Sequence, residues 1–172
     1  AVPQGEALLR SGARSGDVIC LGGVTGGGLH GLYLWQQGLR QGAAIDHFRR
    51  PRPQLDLGVS LRGHASACID VSDGVLADLN HILEASGGLG AQLDEASLPL
   101  DAAILSDCAH DEQRRLQLQG GDDYLLLFTL PKDEPLPAGC HVIGQIDAQP
   151  GIRLTTVAGE PRALTAKGWQ HF

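Results

Sequence analysis

Short apolar runs alternate along this chain with stretches in which apolar residues recur at helical spacing. The runs at 17–21, 65–69 and 124–130 predict buried strands, because each is brief and is followed by a glycine, an acid or a proline. The helical spacings at 29–39 and 75–83 predict two helices that end at glycines. Weaker patterns predict a helix after residue 53, a helix at 102–116, strands at 92–100, 140–143 and 152–157, and a turn at 158–161. Together they predict an α/β (α+β) fold, with a mixed β-sheet layered with helices, as a single domain over residues 1–172.

Polar residues that can carry chemistry concentrate at one predicted strand-to-helix junction. The apolar run stops at Asp70, and Ser72 and Asp73 come just before the helix that contains Val75. Carboxylates are suitable ligands for Mg²⁺, and the start of a helix favours an anion such as a phosphate. Ser72 or Asp73 could instead cap the helix, although one cap residue is enough and Asp70 would remain unused. The junction therefore predicts either a metal–phosphate site or an ordinary helix cap.

The charge balance limits the classes of partner. The chain has 20 acidic and 13 basic residues, for a net charge of -7. This balance disfavours nucleic-acid binding, which depends on neutralising phosphates. No apolar run approaches the roughly 20 residues that span a bilayer. We expect neither nucleic acid nor a membrane as a partner.

The cysteines and histidines show no ligand spacing. The four cysteines lie far apart without a CxxC pair, and no histidine stands at ligand spacing from a cysteine or a glutamate. His81 follows Asp78 by three residues, which we interpret as an exposed helix face. We expect neither zinc nor a disulfide framework, and this cysteine usage is typical of a protein of the cytoplasm.

Two glycine-containing loops are further candidates. Gly26, Gly28 and Gly31 fit the G-x-G-x-x-G pattern of dinucleotide-binding proteins, which would require a second strand at 43–45. No lysine follows these glycines, which excludes a phosphate-binding P-loop. The pair Asp122-Asp123 follows two other glycines and is either turn chemistry or a site for cations or amine-bearing ligands.

In combination, these segments resemble the C-terminal half of thiamine-monophosphate kinases. The Asp-x-Ser-Asp-Gly motif at 70–74 is shared with related enzymes, whereas its combination with Gly-Gly-Asp-Asp-Tyr at 120–124 and the aromatic end at 169–172 is specific to the kinase. The other matching pieces are 7–8, 10–13, 16–17, 50–53, 78–79, 81–82 and 128–129. The resemblance implies the fold of the aminoimidazole ribonucleotide synthetase C-terminal domain.

The resemblance also implies an activity and a set of site residues. The activity is the ATP-dependent phosphorylation of thiamine monophosphate to thiamine diphosphate, with Mg²⁺ as cofactor. The implied roles are nucleotide contacts for Arg10 and Ser72, magnesium ligands for Asp70 and Asp73, and substrate contacts for Asp122 and Trp169.

The chain departs from the family pattern at four positions. The family usually has an acid at the position of Gly27 and a glutamate at the position of Asp122. It has another glutamate at the position of Leu125, and an aspartate is common at the position of Gln170. These changes affect the expectation of activity more than that of fold.

The family's N-terminal half has no counterpart in these residues, so we expect them to be the second half of a longer protein. That half carries most of the magnesium-binding aspartates and the dimer-forming sheet, so we expect the 172 residues not to catalyse alone and the parent protein to be a homodimer. The alternatives are a related ATP-dependent enzyme of the same superfamily, a non-catalytic descendant that binds a nucleotide or a partner, and a dinucleotide oxidoreductase.

Overall fold

A computed structural model describes residues 2–164, which form one seven-stranded sheet covered by helices. The strands are β1 Val18–Leu21, β2 Ala67–Asp70, β3 Gly90–Asp94, β4 Leu126–Leu130, β5 His141–Asp147, β6 Gly151–Thr155 and β7 Pro161–Leu164. The helices are α1 Gly27–Gln36, α2 Ala43–Arg49, α3 Leu55–Ser60, α4 Val75–Ala85, α5 Ala102–Leu105 and α6 His110–Gln119, with a 3₁₀ turn at Glu95–Ser97. The sheet order is β2-β4-β1-β5-β3-β6-β7, and only β3 and β6 pair in parallel. No helix within residues 2–164 is long and apolar enough to cross a bilayer.

Both faces of the sheet are buried along β1, β2 and β4, whereas β5 and β6 alternate between buried and more exposed residues. Ile69 of β2 faces a large core that also contains the apolar stripe of α4, whereas its neighbour Cys68 faces a smaller core on the other side. The same alternation separates Leu127 from Phe128 in β4. Successive side chains of a strand point to opposite faces, so short apolar runs without polar alternation are what this arrangement requires.

Four predicted elements differ from the structure. The strand predicted at 92–100 begins earlier and ends at Asp94, where the 3₁₀ turn at Glu95–Ser97 follows. The predicted helix at 102–116 is two helices, because Asp101 caps α5 and a new helix begins with Asp111 and Glu112 in its first turn. The predicted turn at 158–161 is shorter, and β7 already begins at Pro161 and pairs with β6. Residues 43–45 belong to helix α2 and not to a strand.

The N–H groups of the glycine-rich loop after β1 are bound by a carboxylate of the same chain. The N–H groups of Gly26 and Gly28 donate to Asp123 Oδ2 and Oδ1 over 2.7 and 2.9 Å, and the Asp123 side chain is fully buried. His47 Nε2 lies 3.1 Å from Asp123 Oδ1, but it is not oriented for a hydrogen bond. A Cβ at Gly28 would stand 2.6 Å from the carbonyl of Asp122, so glycine is needed there for close backbone packing.

The dinucleotide interpretation of this loop is therefore wrong. Asp123 occupies the anion position at the start of α1. The residues at 43–45 that would have to form the second strand are helical, and β1 lies between two antiparallel neighbours. A dinucleotide-binding fold needs parallel strands and free N–H groups at this position.

Asp123→Asn should lower the free energy of unfolding by about 1–3 kcal/mol, because the two buried N–H groups donate to different oxygens and the NH₂ group of asparagine would replace one of these acceptors. Chemical denaturation measures the difference. The matched control is Asp122→Asn, whose side chain accepts from the exposed Tyr124 hydroxyl and can still do so as an amide. Equal stability of the two variants would contradict the capping role of Asp123.

A second anchor joins the 3₁₀ turn to α6 and to the β6–β7 connection. Glu95 Oε1 accepts from Arg114 Nε over 2.7 Å, and its Oε2 accepts from the N–H of Val157 over 2.8 Å. The hydrogen bond from Val157, followed by the charge of Arg114, lowers the pKa of Glu95 below its ordinary value of 4.5. The folded state thus binds a proton at Glu95 less readily than the unfolded state does.

Glu95→Gln should lower stability by about 1–2 kcal/mol at neutral pH, where the carboxylate is charged. The wild-type advantage is present above pH 4.5 and is lost as the pH falls through the lowered folded-state pKa. Thermal melts of both proteins across this pH range measure it. Glu112→Gln, in a half-exposed pair with Arg115, is the control and should have a smaller effect. A difference that persists unchanged at acidic pH would refute the assignment.

Candidate active site

Two loops lie side by side at one end of β2 and β4. The N–H of Val71 donates to the carbonyl of Leu125, and the N–H of Tyr124 donates back to the carbonyl of Val71, both over 2.8 Å. The N–H of Asp122 donates to the carbonyl of Ser72 over 3.0 Å. These bonds extend the β2–β4 pairing beyond the strands, and they bring the loop at 70–74 and the loop at 120–125 into one site.

Gly74 allows the first loop to fit against the second. Its φ is 104°, and a Cβ there would stand 2.9 to 3.1 Å from the backbone of residues 119 and 120. Any other residue would strain the backbone and push α6 away. Close packing between the two loops thus explains why glycine occupies the last position of the Asp-x-Ser-Asp-Gly motif.

Four carboxylates meet here, from Asp70, Asp73 and Asp122 of the joined loops and from Asp78 of α4, and we call them the acidic cluster. The hydroxyl of Tyr124 donates to Asp122 Oδ1 over 2.9 Å. That hydrogen bond, followed by the charge of Asp122 and the more distant charges of Asp70 and Asp73, raises the pKa of Tyr124. Tyr124 is therefore a protonated hydrogen-bond donor at neutral pH.

Asp78 holds the first loop from inside. It is buried, and its Oδ2 accepts from the N–H groups of Ser72 and Asp73 over 2.9 and 3.0 Å. Burial raises the pKa of Asp78, and the charges of Asp73 and Asp70 add to this effect. The prediction that Asp78 and His81 lie on an exposed helix face is wrong for Asp78, which is buried, and is confirmed for His81, which is exposed.

The helix-cap interpretation of Ser72 and Asp73 is also wrong. The N-cap of α4 is Gly74, and no side chain caps it. Among residues 2–164, no side chain forms a hydrogen bond or an ion pair with the side chain of Asp70 or Asp73. Both carboxylates are consequently available to a ligand.

The acidic cluster has the composition of a site for a hard divalent cation. Within residues 2–164, no lysine, arginine or histidine forms an ion pair with any of its four members. Ligand atoms of Asp73, Asp78 and His81 all lie within 4.8 Å of one another. Several carboxylates without a positive partner favour a bound cation, which would relieve their mutual repulsion. The sequence interpretation gave Asp78 no role in the site, although its position one turn into a helix after an acidic loop was a usable signal.

A groove of about 1070 Å³ begins beside the acidic cluster. Arg10, Asp70 and Tyr124 line it together with apolar side chains that include Leu55 and Val59. The groove brings together two of the predicted site residues, Arg10 and Asp70, one positive and one negative. Ser72 and Asp122 lie in the joined loops and are not among its lining residues.

The remaining positions are the predicted substrate contact Trp169 and three of the departures from the family pattern, at Gly27, Leu125 and Gln170. Trp169 and Gln170 lie outside the described residues. Gly27 is buried, and a Cβ there would stand 3.0 Å from the ring of His47. Leu125 is buried in the main core, so the residue that replaces the family's glutamate has a packing role.

Sequence relatives share nearly all of this chain. The thiamine-monophosphate kinase of Escherichia coli K12 is 38% identical over 188 aligned positions, which cover 99% of this chain and 57% of the relative. The Pyrococcus abyssi enzyme of the same name is 30% identical and covers 96% of this chain and 53% of the relative. The chain thus spans about half the length of the curated relatives it matches. A comparison with protein-family models finds no match.

Solved structures agree with the sequence relatives. The thiamine-monophosphate kinase of Stenotrophomonas maltophilia K279a has a TM-score of 0.82 and 36% identity, and covers 92% of this chain and 55% of that one. AaThiL complexed with AMPPCP and TMP has a TM-score of 0.83 and 29% identity, over 96% and 54% of the two chains.

Escherichia coli HypE, a hydrogenase maturation protein, is 20% identical with a TM-score of 0.76, over 100% of this chain and 55% of that one, which shows the fold alone. These neighbours share the aminoimidazole ribonucleotide synthetase-like fold, which confirms the predicted fold class. Over nearly its whole length, the chain is therefore a relative of the C-terminal half of thiamine-monophosphate kinases, as its motifs predicted.

Proposed function

We propose that this chain takes part in the ATP-dependent phosphorylation of thiamine monophosphate to thiamine diphosphate. The relatives that match 99% of it are named for this reaction, and a neighbour of the same fold was solved with AMPPCP and TMP. AMPPCP is an ATP analogue, so that neighbour holds a nucleotide and the phosphate acceptor together. The observation that carries the proposal for this chain is the acidic cluster, whose carboxylates are free of positive partners among residues 2–164.

Asp70 and Asp73 are the proposed ligands for Mg²⁺. Both belong to the acidic cluster, and neither carboxylate is used in a hydrogen bond to another described side chain. Mg²⁺, when bound, would supply positive charge to the oxygens of the transferred phosphate. Asp78 positions this loop by holding the N–H groups of Ser72 and Asp73.

The remaining proposed contacts flank the cluster. Arg10 lines the groove beside Asp70, where its guanidinium can bind a nucleotide phosphate with two parallel hydrogen bonds. Ser72, on the adjoining loop, is the second nucleotide contact. Asp122 is the proposed substrate contact, and its carboxylate is kept in place by the Tyr124 hydroxyl. Trp169 is the proposed aromatic contact to thiamine and lies outside the described residues.

This division of roles suits phosphoryl transfer. The acceptor is already a phosphate oxygen, so the protein needs no nucleophile of its own and acts through position and charge. Rigid attachment of the acidic loops to the sheet is what such a site requires, and the backbone bonds from Val71, Asp122 and Tyr124 supply it.

The wider setting follows from the same proposal. We propose a cytoplasmic protein that acts as a homodimer, with the N-terminal half of the family supplying further carboxylates. Asp70 and Asp73 alone offer few ligands for a triphosphate, so residues 1–172 by themselves should bind nucleotide without turnover.

Asp70→Asn and Asp73→Asn should each reduce the formation of thiamine diphosphate by about 100-fold or more, because each removes a charged oxygen ligand. The assay uses the complete gene product that carries these residues, whatever its length, with Mg²⁺ titrated. Melting temperatures should not fall, since neither carboxylate accepts a hydrogen bond from a described residue. Asp133→Asn, an exposed acid outside the cluster, is the matched control and should act as wild type.

The alternatives give different results. Wild-type turnover in both variants, or a large drop in melting temperature, would show that the two carboxylates are not metal ligands. Binding of AMPPCP with Mg²⁺ but no turnover by the wild-type gene product would favour the non-catalytic descendant.

A further inference from the structure

Three potential metal ligands meet on the side of the molecule formed by α1, α5 and α6. His30 of α1 is buried, and Asp107 and Cys108 lie between α5 and α6. Asp107 Oδ1 stands 3.1 Å from His30 Nε2, and Cys108 Sγ stands 3.7 Å from that nitrogen and 3.9 Å from Asp107 Oδ1. His30 is 77 residues before Asp107, so no local spacing pattern could indicate the group.

These distances are close to those of a tetrahedral zinc site. Nitrogen, oxygen and sulfur ligands at about 2.0–2.3 Å from Zn²⁺ stand about 3.3–3.6 Å apart at the tetrahedral angle. Each observed separation differs from this range by a few tenths of an ångström. The Asp107 side chain is 60% exposed, which leaves a path for the ion and room for a water as the fourth ligand.

The ligands are held in place by their surroundings. His30 follows Leu29, which packs with Leu105 and Leu116 in a separate small core. The N–H of Cys108 donates to the carbonyl of Leu105 over 3.1 Å. Gln113 Nε2 donates to the carbonyls of both Leu105 and Cys108. A site whose ligands are already fixed loses less conformational entropy when the ion binds.

We propose that His30, Asp107 and Cys108 form a binding site for Zn²⁺ or a similar divalent transition metal. Imidazole and thiolate ligands select such ions, whereas the acidic cluster consists of carboxylates, which suit Mg²⁺. A thiolate and a carboxylate also neutralise the two charges of the ion. The neighbouring Glu112 is not needed as a ligand, because both of its oxygens pair with Arg115.

The two proposals are independent, because no ligand of this site belongs to the acidic cluster. Bound metal would tie the segment between α5 and α6 to α1 and would stabilise the fold by mass action. The simpler alternative is a His30–Asp107 hydrogen bond that anchors the same segment without an ion.

Titration of the 172-residue chain with Co²⁺ separates these possibilities, because a cobalt–thiolate bond gives a near-ultraviolet charge-transfer band. We expect the band in the wild type, its loss in Cys108→Ser and Asp107→Asn, and its displacement by Zn²⁺. The other three cysteines are buried, whereas Cys108 is partly exposed, so the other three should not contribute. His81→Ala is the control for the acidic cluster and should keep the band.

Stability provides a second readout. Saturating Zn²⁺ should raise the melting temperature of the wild type by about 2–5 °C and leave that of Cys108→Ser unchanged. Both variants change residues at least partly open to solvent, so they should fold. A missing band, a band that survives in Cys108→Ser, or an equal response of the two proteins to Zn²⁺ would overturn the proposal.

Discussion

The candidate active site depends on main-chain hydrogen bonds between two loops that are distant in sequence. The bonds from Val71, Asp122 and Tyr124 use backbone atoms only, so the side chains of the loops remain free for a ligand. The arrangement requires positive φ angles of 65° at Asp122 and 53° at Tyr124. Residues other than glycine rarely adopt this left-handed region of backbone conformation. Such angles persist only when the surroundings enforce them. Here the extended β2–β4 pairing does so, and it concentrates negative charge where a cation is needed.

Asp122 and Asp123, adjacent in the second loop, have different roles. Asp122 belongs to the acidic cluster and accepts from the Tyr124 hydroxyl, whereas Asp123 is buried and accepts from N–H groups at the start of α1. A glycine-rich loop before a helix attracts an anion whatever its source, because its N–H groups lack partners. In this fold the anion comes from the chain itself. The glycines therefore serve close packing between α1 and the second loop, as the contact at Gly28 shows.

Sequence patterns correctly predicted the strands and helices whose signals lie within a short stretch of the chain. The apolar runs at β1, β2 and β4 and the helical spacing of α4 are visible because each element buries a continuous surface. Helix α2 was missed because its seven residues, about two turns, are too few to show a sustained apolar spacing. Strand β7 was missed because its stability comes from pairing with β6. Asp70 and Asp73 were predicted from their junction, whereas the inward position of Asp78 and the approach of Cys108 to His30 depend on tertiary packing.

The free edge of β2 is shielded by the segment at residues 9–13. β2 is an outermost strand, and the N–H of Cys68 donates to the carbonyl of Leu9 over 2.8 Å. The N–H groups of Gly12 and Ala13 both donate to Ser86 Oγ, which fastens the same segment to the end of α4. An uncovered strand edge is a template for pairing with another molecule. Trimming the chain up to Ala13 would therefore expose this template, and the shortened protein would tend to self-associate through edge-to-edge strand addition.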